Sequence, residues 1–294
     1  MKRTTALLTA MLVTAMLLMT GIALAECPQM DVKDYPRVDG STATLPLSYR
    51  LMQAATGVDE AVAKNIIRHN KTTESFYALV NGQADLLLVY EPSREAWDYA
   101  KAQKTDLEVQ PIGYDAPVFL INDKNPVESL THDQIVGIYT GEITNWRQVG
   151  GDDLDIVAYQ RVENSGSQVM MKAQVMQGVE MMDAPREFRT SEMGELVDAI
   201  SSYRNTANSI GYSVYYYIDN MYMQEGIKLL KVNGVAPANE TIASGEYPYR
   251  QPFYAVIRAD AAADSPARKL YDWLSTPEGR SLVEEAGYVA APAE

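Results

Sequence analysis

Charged and hydroxyl side chains crowd one short stretch of the chain, YQRVENSGSQ, at residues 159–168. It holds a guanidinium, a carboxylate, two hydroxyls and a glycine, from Arg161, Glu163, Ser165, Gly166 and Ser167. The apolar run before it predicts a buried strand over 155–160, and a helix is expected to begin near Ser165. Unpaired N–H groups at a helix start lie at the positive end of the helix dipole, which suits an anion. A guanidinium can bind an oxyanion through two parallel hydrogen bonds, and Glu163 could hold it in place. An ordinary serine N-cap beside a surface Arg–Glu pair is the alternative.

Two other helix starts are equally rich in hydroxyls. In DGSTATLPLSYRLMQAATG, residues 39–57, hydroxyl residues follow Gly40 and precede an apolar-periodic segment. In NKTTESF, residues 70–76, Thr72 or Thr73 is placed to cap a helix. Ordinary capping, by Thr42 or Thr44 in the first segment, is the simpler interpretation of each segment taken alone.

A carboxylate closes the most apolar strand candidate. Glu91 ends ADLLLVYE, residues 84–91, just before Pro92. A polar residue at the carboxyl end of a strand in an open α/β sheet faces the crevice where ligands bind. A solvated acid at the end of a strand is the simpler interpretation.

The elements that would position these residues alternate between two periodicities, which predicts an α/β fold. Apolar runs predict strands over 84–91, 116–122, 155–160 and 210–218. Capped amphipathic patterns predict helices over 72–83, 93–104, 130–141, 165–176 and 191–204. Two extended, proline-marked segments, 111–122 and 245–257, are candidates for chain crossings between two lobes. Composition also allows one continuous sheet with proline-bearing loops.

The N-terminus has the pattern of a secretory signal. Lys2 and Arg3 precede an apolar run that ends in a small-residue cleavage site, so residues 1–25 are predicted to be a signal peptide. An uncleaved membrane anchor is the alternative. The protein is therefore expected to be exported, to a periplasm or the cell exterior. Lipid anchoring through Cys27 is conceivable, but Glu26 stands where lipoprotein signals carry a small residue.

The charge balance excludes several classes of partner. The formal net charge is −14, and it becomes about −16 without the two cations of the leader. Nucleic acid and anionic membrane surfaces are poor partners for such a field. The histidines, His69 and His132, have no spacing for a metal site or a histidine-based triad, so neither metal nor cofactor is expected.

Six segments, taken in order, and two motifs within them form a recognisable series. The segments are GSTATLPLS, NGQADLLLVYEPS, LTHDQIVGIYTGEITNWRQVGGDDLDIVAYQRVENSGSQ, SIGYSVYYYI, GVAPANETIASGEYPYRQPFYAVI and WLSTPEGRSLVEEAGYV. Within them, G-x-I-T-N-W and R-x-x-x-S-G-[ST] are the specific motifs. This series resembles the phosphate-binding proteins of PstS type that serve phosphate ABC importers, and the likeness runs from about Gly40 to Val289.

This resemblance implies a type II periplasmic binding protein fold with two lobes and two hinge crossovers. One lobe would comprise 26–114 with 251–294, and the other 115–250. It also implies a non-enzymatic, monomeric protein that binds inorganic phosphate and delivers it to the membrane subunits of a phosphate ABC transporter.

The resemblance also assigns ligand-binding roles. Arg161 would be the charge partner of the anion, Glu163 the acid of the same loop, and Ser165, Gly166 and Ser167 its donors. Thr42 and the Ala43 N–H would donate from the first loop, together with Thr72 or Thr73. Glu91 would accept the ligand's proton where the family carries an aspartate. This glutamate, the alanine at 43 and the absence of a glycine-rich second loop depart from the family pattern.

Two other functions stay open at this point. The three departures would suit a two-lobed sensor or interaction protein with a different anionic ligand. A secreted phosphate-ester hydrolase would use Ser165 or Ser167 as its nucleophile. It would need a base, however, and no histidine is nearby in the sequence.

Overall fold

The structure, a computed structural model, describes residues 26–202 and 207–292. The predicted signal peptide, residues 1–25, lies outside this described part. Strands and helices alternate along the chain, and their mixture confirms the predicted α/β class. The strands are β1 Val38–Gly40, β2 Leu86–Tyr90, β3 Leu107–Asp115, β4 Pro117–Asn122, β5 Ser129–Leu130, β6 Val157–Ala158, β7 Gln160–Arg161, β8 Arg189–Thr190, β9 Ser209–Val214, β10 Ile227–Leu229, β11 Lys231–Val232, β12 Gln251–Arg258 and β13 Val289–Ala290.

Two main sheets organise these strands. The first has five strands in the order β1-β2-β12-β3-β13, and the second has four in the order β10-β4-β9-β6. Both sheets are mixed, because β1 runs parallel to β2 and β6 parallel to β9 while the other pairs are antiparallel. All five residues of β2 are buried, as its continuous apolar run predicts.

The chain passes between the sheets at the first predicted crossing. β3 ends at Asp115 in the first sheet, and β4 begins at Pro117 in the second. At the second predicted crossing, β12 returns the chain to the first sheet, with Gln251 paired to Asp115. Lobe boundaries at 114/115 and 250/251 remain a prediction, and this strand arrangement is consistent with them.

Helices pack against strands of both sheets. The α-helices are α1 Leu45–Thr56, α2 Glu60–Ile66, α3 Thr72–Val80, α4 Arg94–Ala102, α5 His132–Thr140, α6 Gly166–Met170, α7 Met193–Ser201, α8 Asn239–Ser244, α9 Pro266–Leu274 and α10 Pro277–Glu285. Wider π-helical turns follow at Met171–Met176, which prolongs α6, and at Tyr217–Tyr222. No helix within the described residues is long and apolar enough to cross a membrane.

The tyrosine-rich strand predicted over 210–218 is wrong in its second half. The strand stops at Val214, and the backbone then turns helical. The cause is a competing partner: the Tyr216 N–H donates to Asp115 Oδ1 at 3.1 Å, and the Tyr216 ring stacks on Tyr288 at 3.5 Å between centroids. Tertiary contacts thus override the β propensity of this tyrosine run.

Candidate functional site

A small cavity lies where helix starts from both sides of the molecule meet. It is lined by Ser41, Thr42, Ala43, Lys71, Thr72, Tyr90, Arg161, Ser165, Gly166, Ser167, Glu192, Met193 and Val214. The structure therefore brings together seven predicted ligand-binding residues, and it leaves Thr73, Glu91 and Glu163 out of the lining. The volume within which the centre of a water molecule could lie is about 30 Å³ in this cavity. One buried water needs about 10 to 15 Å³ on this scale. The space suits a small inorganic ion better than an organic molecule.

Arg161 is the buried cation of the cavity. Only 4% of its surface is exposed, and its guanidinium donates to the Thr190 and Ser191 carbonyls at 3.2 and 3.1 Å. These two hydrogen bonds fix the plane of the guanidinium. No carboxylate of the described residues forms an ion pair with Arg161. Burial lowers the pKa of Arg161 from its usual value. A buried charge of this kind is costly unless a counter-charge compensates it, and the cavity is where an anion could do so.

The segment after Arg161 turns a strand into a helix, and it points hydroxyls at the cavity. Ser165 is the N-cap of α6, and its Oγ accepts from the Gln168 N–H at 3.3 Å. Ser167 Oγ is buried and has no hydrogen-bond partner among the described residues. A buried hydroxyl is normally paired, so the Ser167 hydroxyl is available to donate a hydrogen bond to a ligand.

Gly166 is required at the point where the two sides of the cavity touch. A Cβ added there would lie 2.4 Å from Thr72 Oγ1. Any larger residue would push this loop away from α3 and widen the cavity. Gly166 therefore sets the spacing between the loop of the second sheet and the first helix turn across from it.

The opposite wall, Ser41–Thr44, is built around its own hydrogen bonds. Ser41 Oγ accepts from the Tyr90 N–H at 3.0 Å and shares a hydrogen bond of 2.8 Å with Thr72 Oγ1. Thr44 Oγ1 lies 2.5 Å from the Leu88 carbonyl oxygen and 2.9 Å from the Ser41 carbonyl oxygen, so its single proton is shared between these two acceptors. Thr42 and Ala43 are thereby presented to the cavity by a loop whose other hydroxyls are already paired.

A buried histidine supports this wall from behind. His69 Nδ1 lies 2.7 Å from the Ser41 carbonyl, and Nε2 lies 3.0 Å from Ser48 Oγ. A carbonyl can only accept, so Nδ1 carries the proton and Nε2 accepts from the Ser48 hydroxyl. Burial lowers the pKa of His69, which favours this neutral form. His69 does not line the cavity.

The threonines of α3 do not cap it, contrary to one sequence interpretation. Lys71 is the N-cap, and both threonines lie inside the helix. Thr72 Oγ1 bonds to Ser41, whereas Thr73 Oγ1 donates to the Asn164 carbonyl at 3.1 Å. Of the two threonines, Thr72 lines the cavity and Thr73 does not. Thr73 instead ties α3 to the loop that precedes Ser165.

Glu91 does not lie at the cavity, so the sequence-based placement is wrong. Its carboxylate accepts from Trp97 Nε1 at 2.8 Å on the side of α4. Neighbouring side chains at the end of a strand point to opposite faces. Tyr90 lines the cavity, and Glu91 consequently faces away from it.

Glu163 does not hold Arg161. It forms an ion pair with Lys172, and 67% of its side chain is exposed. The guanidinium is instead oriented by the backbone carbonyls of Thr190 and Ser191. These residues are about 30 positions from Arg161 in the chain, so the local spacing of residues could not predict the contact. The predicted ion pair between Arg161 and Glu163 is therefore wrong. Arg161 has no carboxylate partner in the described residues, and Glu163 pairs with Lys172 at the surface.

Sequence reasoning missed four polar residues of the cavity, Ser41, Lys71, Tyr90 and Glu192. Lys71 Nζ lies 2.5 Å from Glu192 Oε1 across the cavity mouth. The Tyr90 hydroxyl donates to Asp115 Oδ2 at 2.5 Å. Ser41 and Lys71 lie within the two hydroxyl-rich segments 39–57 and 70–76, and Tyr90 lies beside Glu91 at the end of its strand, whereas no sequence signal marks Glu192.

Asp115 connects the cavity wall with the crossing between the sheets. Its Oδ1 accepts from the N–H groups of Ala116 at 2.8 Å and Tyr216 at 3.1 Å, while Oδ2 accepts from Tyr90. The carboxylate is fully buried, and desolvation raises its pKa to about 6 despite these donors. Burial also raises the pKa of Tyr90 well above its usual value, so its hydroxyl keeps its proton.

The buried guanidinium, the hydroxyls and the first-turn N–H groups of the cavity are donors that can bind an anion. No histidine of the described residues lines it, so a serine there has no imidazole base. The described residues contain no group of three or more His, Cys, Asp or Glu side chains that could hold a metal ion.

Comparison with known proteins gives a consistent family. A sequence model for the PBP superfamily domain matches residues 31–277. The phosphate-binding protein PstS of Borreliella burgdorferi is 24% identical over 279 residues, covering 90% of this chain and 93% of that protein. The PstS of Bacillus subtilis is 26% identical over 257 residues, covering 86% and 79% of the two chains.

Solved structures show the same fold. A substrate-binding protein of a phosphate ABC transporter from Clostridium perfringens, solved with bound phosphate, superposes with a TM-score of 0.68 at 22% identity. The match covers 87% of this chain and 98% of that chain. The similarity confirms the predicted two-lobed binding-protein fold.

Proposed function

We propose, because this chain belongs to the PBP superfamily, that it captures inorganic phosphate in the cleft between its two sheets and delivers it to an ABC importer. The observation that carries this proposal is the buried Arg161, which has no carboxylate partner in the described residues and lies beside the unpaired Ser167 hydroxyl. Arginine with hydroxyl donors matches the oxygens of a tetrahedral oxyanion. The relatives named as phosphate-binding proteins support phosphate as that anion.

The acidity of the chain does not oppose this function. The site would hold its anion through local dipoles and Arg161 rather than through the field of the whole protein. With a net charge of −14, long-range attraction of an anion is absent. Affinity therefore depends on the cavity contacts themselves.

The remaining parts of the proposal rest on the leader and the family. Export follows from the predicted signal peptide, delivery to transporter subunits follows from the family, and the protein would act as a monomer without catalysis. The hydrolase alternative has no imidazole base for Ser165 or Ser167 among the described residues that line the cavity. The sensor alternative shares the same cleft and differs only in ligand.

Calorimetric titration of the exported chain with phosphate and with sulfate tests the proposal. Saturable binding of phosphate, tighter than that of sulfate, is expected. Heat release with sulfate alone, or with neither anion, would contradict it. A thermal-shift screen that adds phosphonates, molybdate and small carboxylates identifies a sensor with a changed ligand, because one of those anions would then stabilise the protein most.

A further inference from the structure

We propose that His69, which does not line the cavity, is a positioning residue of the anion site. It fixes the peptide between Ser41 and Thr42 so that the Thr42 N–H points at the bound anion. The inference rests on the proposed phosphate-binding function and extends it to the side chain that orients one of the donors.

The peptide between Ser41 and Thr42 is a rigid unit with two opposite ends. A trans peptide holds its C=O and N–H groups antiparallel, and no peptide bond of the described residues is cis. The Ser41 carbonyl oxygen lies 2.7 Å from His69 Nδ1, and His69 lies outside the cavity lining. The N–H at the other end of this peptide therefore points the opposite way, and Thr42 is one of the residues that line the cavity.

The Thr42 N–H is available to a ligand. No backbone carbonyl of the described residues accepts a hydrogen bond from it. Backbone N–H groups are nearly always paired when water is excluded from them. An anion oxygen in the cavity would supply the acceptor, opposite the donors of Arg161 and Ser167.

The His69 side chain reaches this loop from a fixed position, because both ring nitrogens have a partner. Nδ1 donates to the Ser41 carbonyl, and Nε2 lies 3.0 Å from the hydroxyl of Ser48, which is fully buried. The next residue, Asn70, is also held. Its backbone N–H and its side-chain amide donate to the Asp39 carboxylate at 2.7 and 2.6 Å. The donor at Nδ1 is thus preorganised before any ligand binds.

No other contact of the Ser41 carbonyl can replace this one. The carbonyl also accepts from the Thr44 N–H at 3.1 Å, and it shares the Thr44 hydroxyl proton with the Leu88 carbonyl. Thr44 lies in the same loop and moves with it, whereas His69 is 28 residues away in the chain. Without the histidine, the peptide is held only by its own turn, and the Thr42 N–H can rotate away from the cavity.

Two variants isolate the donor at Nδ1. Asparagine and leucine branch alike at Cγ, and both remove the ring and its contact with Ser48, but only asparagine offers an N–H near the position of Nδ1. His69→Asn should bind phosphate within about twofold of the wild type, and His69→Leu at least about fivefold more weakly, as calorimetry measures. Both should lower the melting temperature, so stability alone cannot explain a difference in affinity between them.

His132→Leu is the matched control. His132 Nδ1 also has a partner, the Tyr249 hydroxyl at 2.8 Å, and His132 does not line the cavity. This variant loses a histidine hydrogen bond that does not reach the first wall. Its phosphate affinity should equal that of the wild type.

Nuclear magnetic resonance of the wild type gives a second measurement that needs no variant. The Thr42 amide proton should shift downfield when phosphate saturates the site, because the N–H then donates to an anion oxygen. Long-range ¹H–¹⁵N spectra should show the proton of neutral His69 on Nδ1, both with and without phosphate.

Three results would overturn the inference while phosphate binding by the wild type keeps the proposed function. They are wild-type affinity in His69→Leu, an equal loss of affinity in His69→Asn and His69→Leu, and a Thr42 amide that does not respond to phosphate. A proton on Nε2 of neutral His69 would overturn it as well. A wild type that does not bind phosphate would overturn both proposals.

Discussion

The two walls of the cavity use similar residues in opposite ways. On the side of the first sheet, the hydroxyls of Ser41, Thr44 and Thr72 are all paired within the protein. On the side of the second sheet, Ser167 Oγ has no partner in the described residues, and the guanidinium of Arg161 donates only to backbone carbonyls there. The first wall is thus preformed, whereas the second wall still has donors to offer.

This difference shows that a hydroxyl-rich helix start in the sequence does not by itself identify which hydroxyls bind a ligand. All three starts have the composition of an anion site, but paired hydroxyls contribute shape and unpaired ones contribute binding energy. Burying an unpaired polar group costs about 1 to 3 kcal/mol, and a ligand that pairs it regains that cost. Affinity is therefore expected to reside mainly in the second wall.

The largest effect that this comparison predicts is at Arg161. Arg161→Ala should weaken phosphate binding at least about 100-fold, because two charge-assisted hydrogen bonds are lost. The melting temperature should stay close to that of the wild type, because the loss of the two hydrogen bonds to the Thr190 and Ser191 carbonyls is offset by the removal of a buried charge that has no ion-pair partner in the described residues. Calorimetry and circular dichroism measure the two quantities.

Arg189→Ala is the matched control for that variant. Arg189 lies in the strand that pairs with Arg161, and it forms an exposed ion pair with Asp183. Its loss should not change phosphate affinity. Unchanged affinity in Arg161→Ala would place the anion elsewhere and remove the distinction between the walls.

A smaller effect is expected at Asp115, which ties the first wall to the second sheet. Its folded-state pKa of about 6 lies above the usual value of 3.8, so the folded protein binds the proton more tightly than the unfolded chain. The stability from this group is present below about pH 4, and it is lost as the pH rises through about 6.

Asp115→Asn should remove that trend. Urea unfolding at about pH 4 and about pH 7 should show the wild type losing stability relative to the variant by on the order of 2 kcal/mol. Other carboxylates titrate in both proteins, and the difference between the two isolates Asp115. Parallel pH profiles would show that this carboxyl keeps an ordinary pKa.

The smallest predicted effect contrasts two serines directly. Ser41→Ala should lower the free energy of unfolding by about 1 to 2 kcal/mol, because the Tyr90 N–H loses its acceptor. Ser167→Ala should leave stability nearly unchanged and weaken phosphate binding by about fivefold to tenfold. Each variant is the control for the other. Equal losses of stability and affinity in both would contradict the division between a preformed wall and a binding wall.

Much of the fold was predictable because the periodicity is local. The apolar run at 84–91 and the helix patterns at 130–141 and 191–204 each contain the information for one element. The strand assigned to 210–218 failed after Val214, since the carboxylate that captures the Tyr216 N–H belongs to a crossing 101 residues away. Propensity cannot anticipate such a partner.

The same reasoning separates the site residues. Arg161, Ser165, Gly166 and Ser167 were found because one strand-to-helix turn contains them all. Glu91 was misplaced by a single position, since alternation along a strand sends Tyr90 to the cavity and its neighbour to Trp97.

Local patterns along the chain account for the α/β alternation, the hydroxyl-rich helix starts and the loop that carries Arg161. Long-range packing sets which hydroxyls remain unpaired, and it brings together Lys71 and Glu192, which are 121 residues apart in the chain. Helix and strand patterns depend on near neighbours, which the order of residues shows directly. Whether a polar atom is paired depends instead on what folding brings within about 3 Å of it.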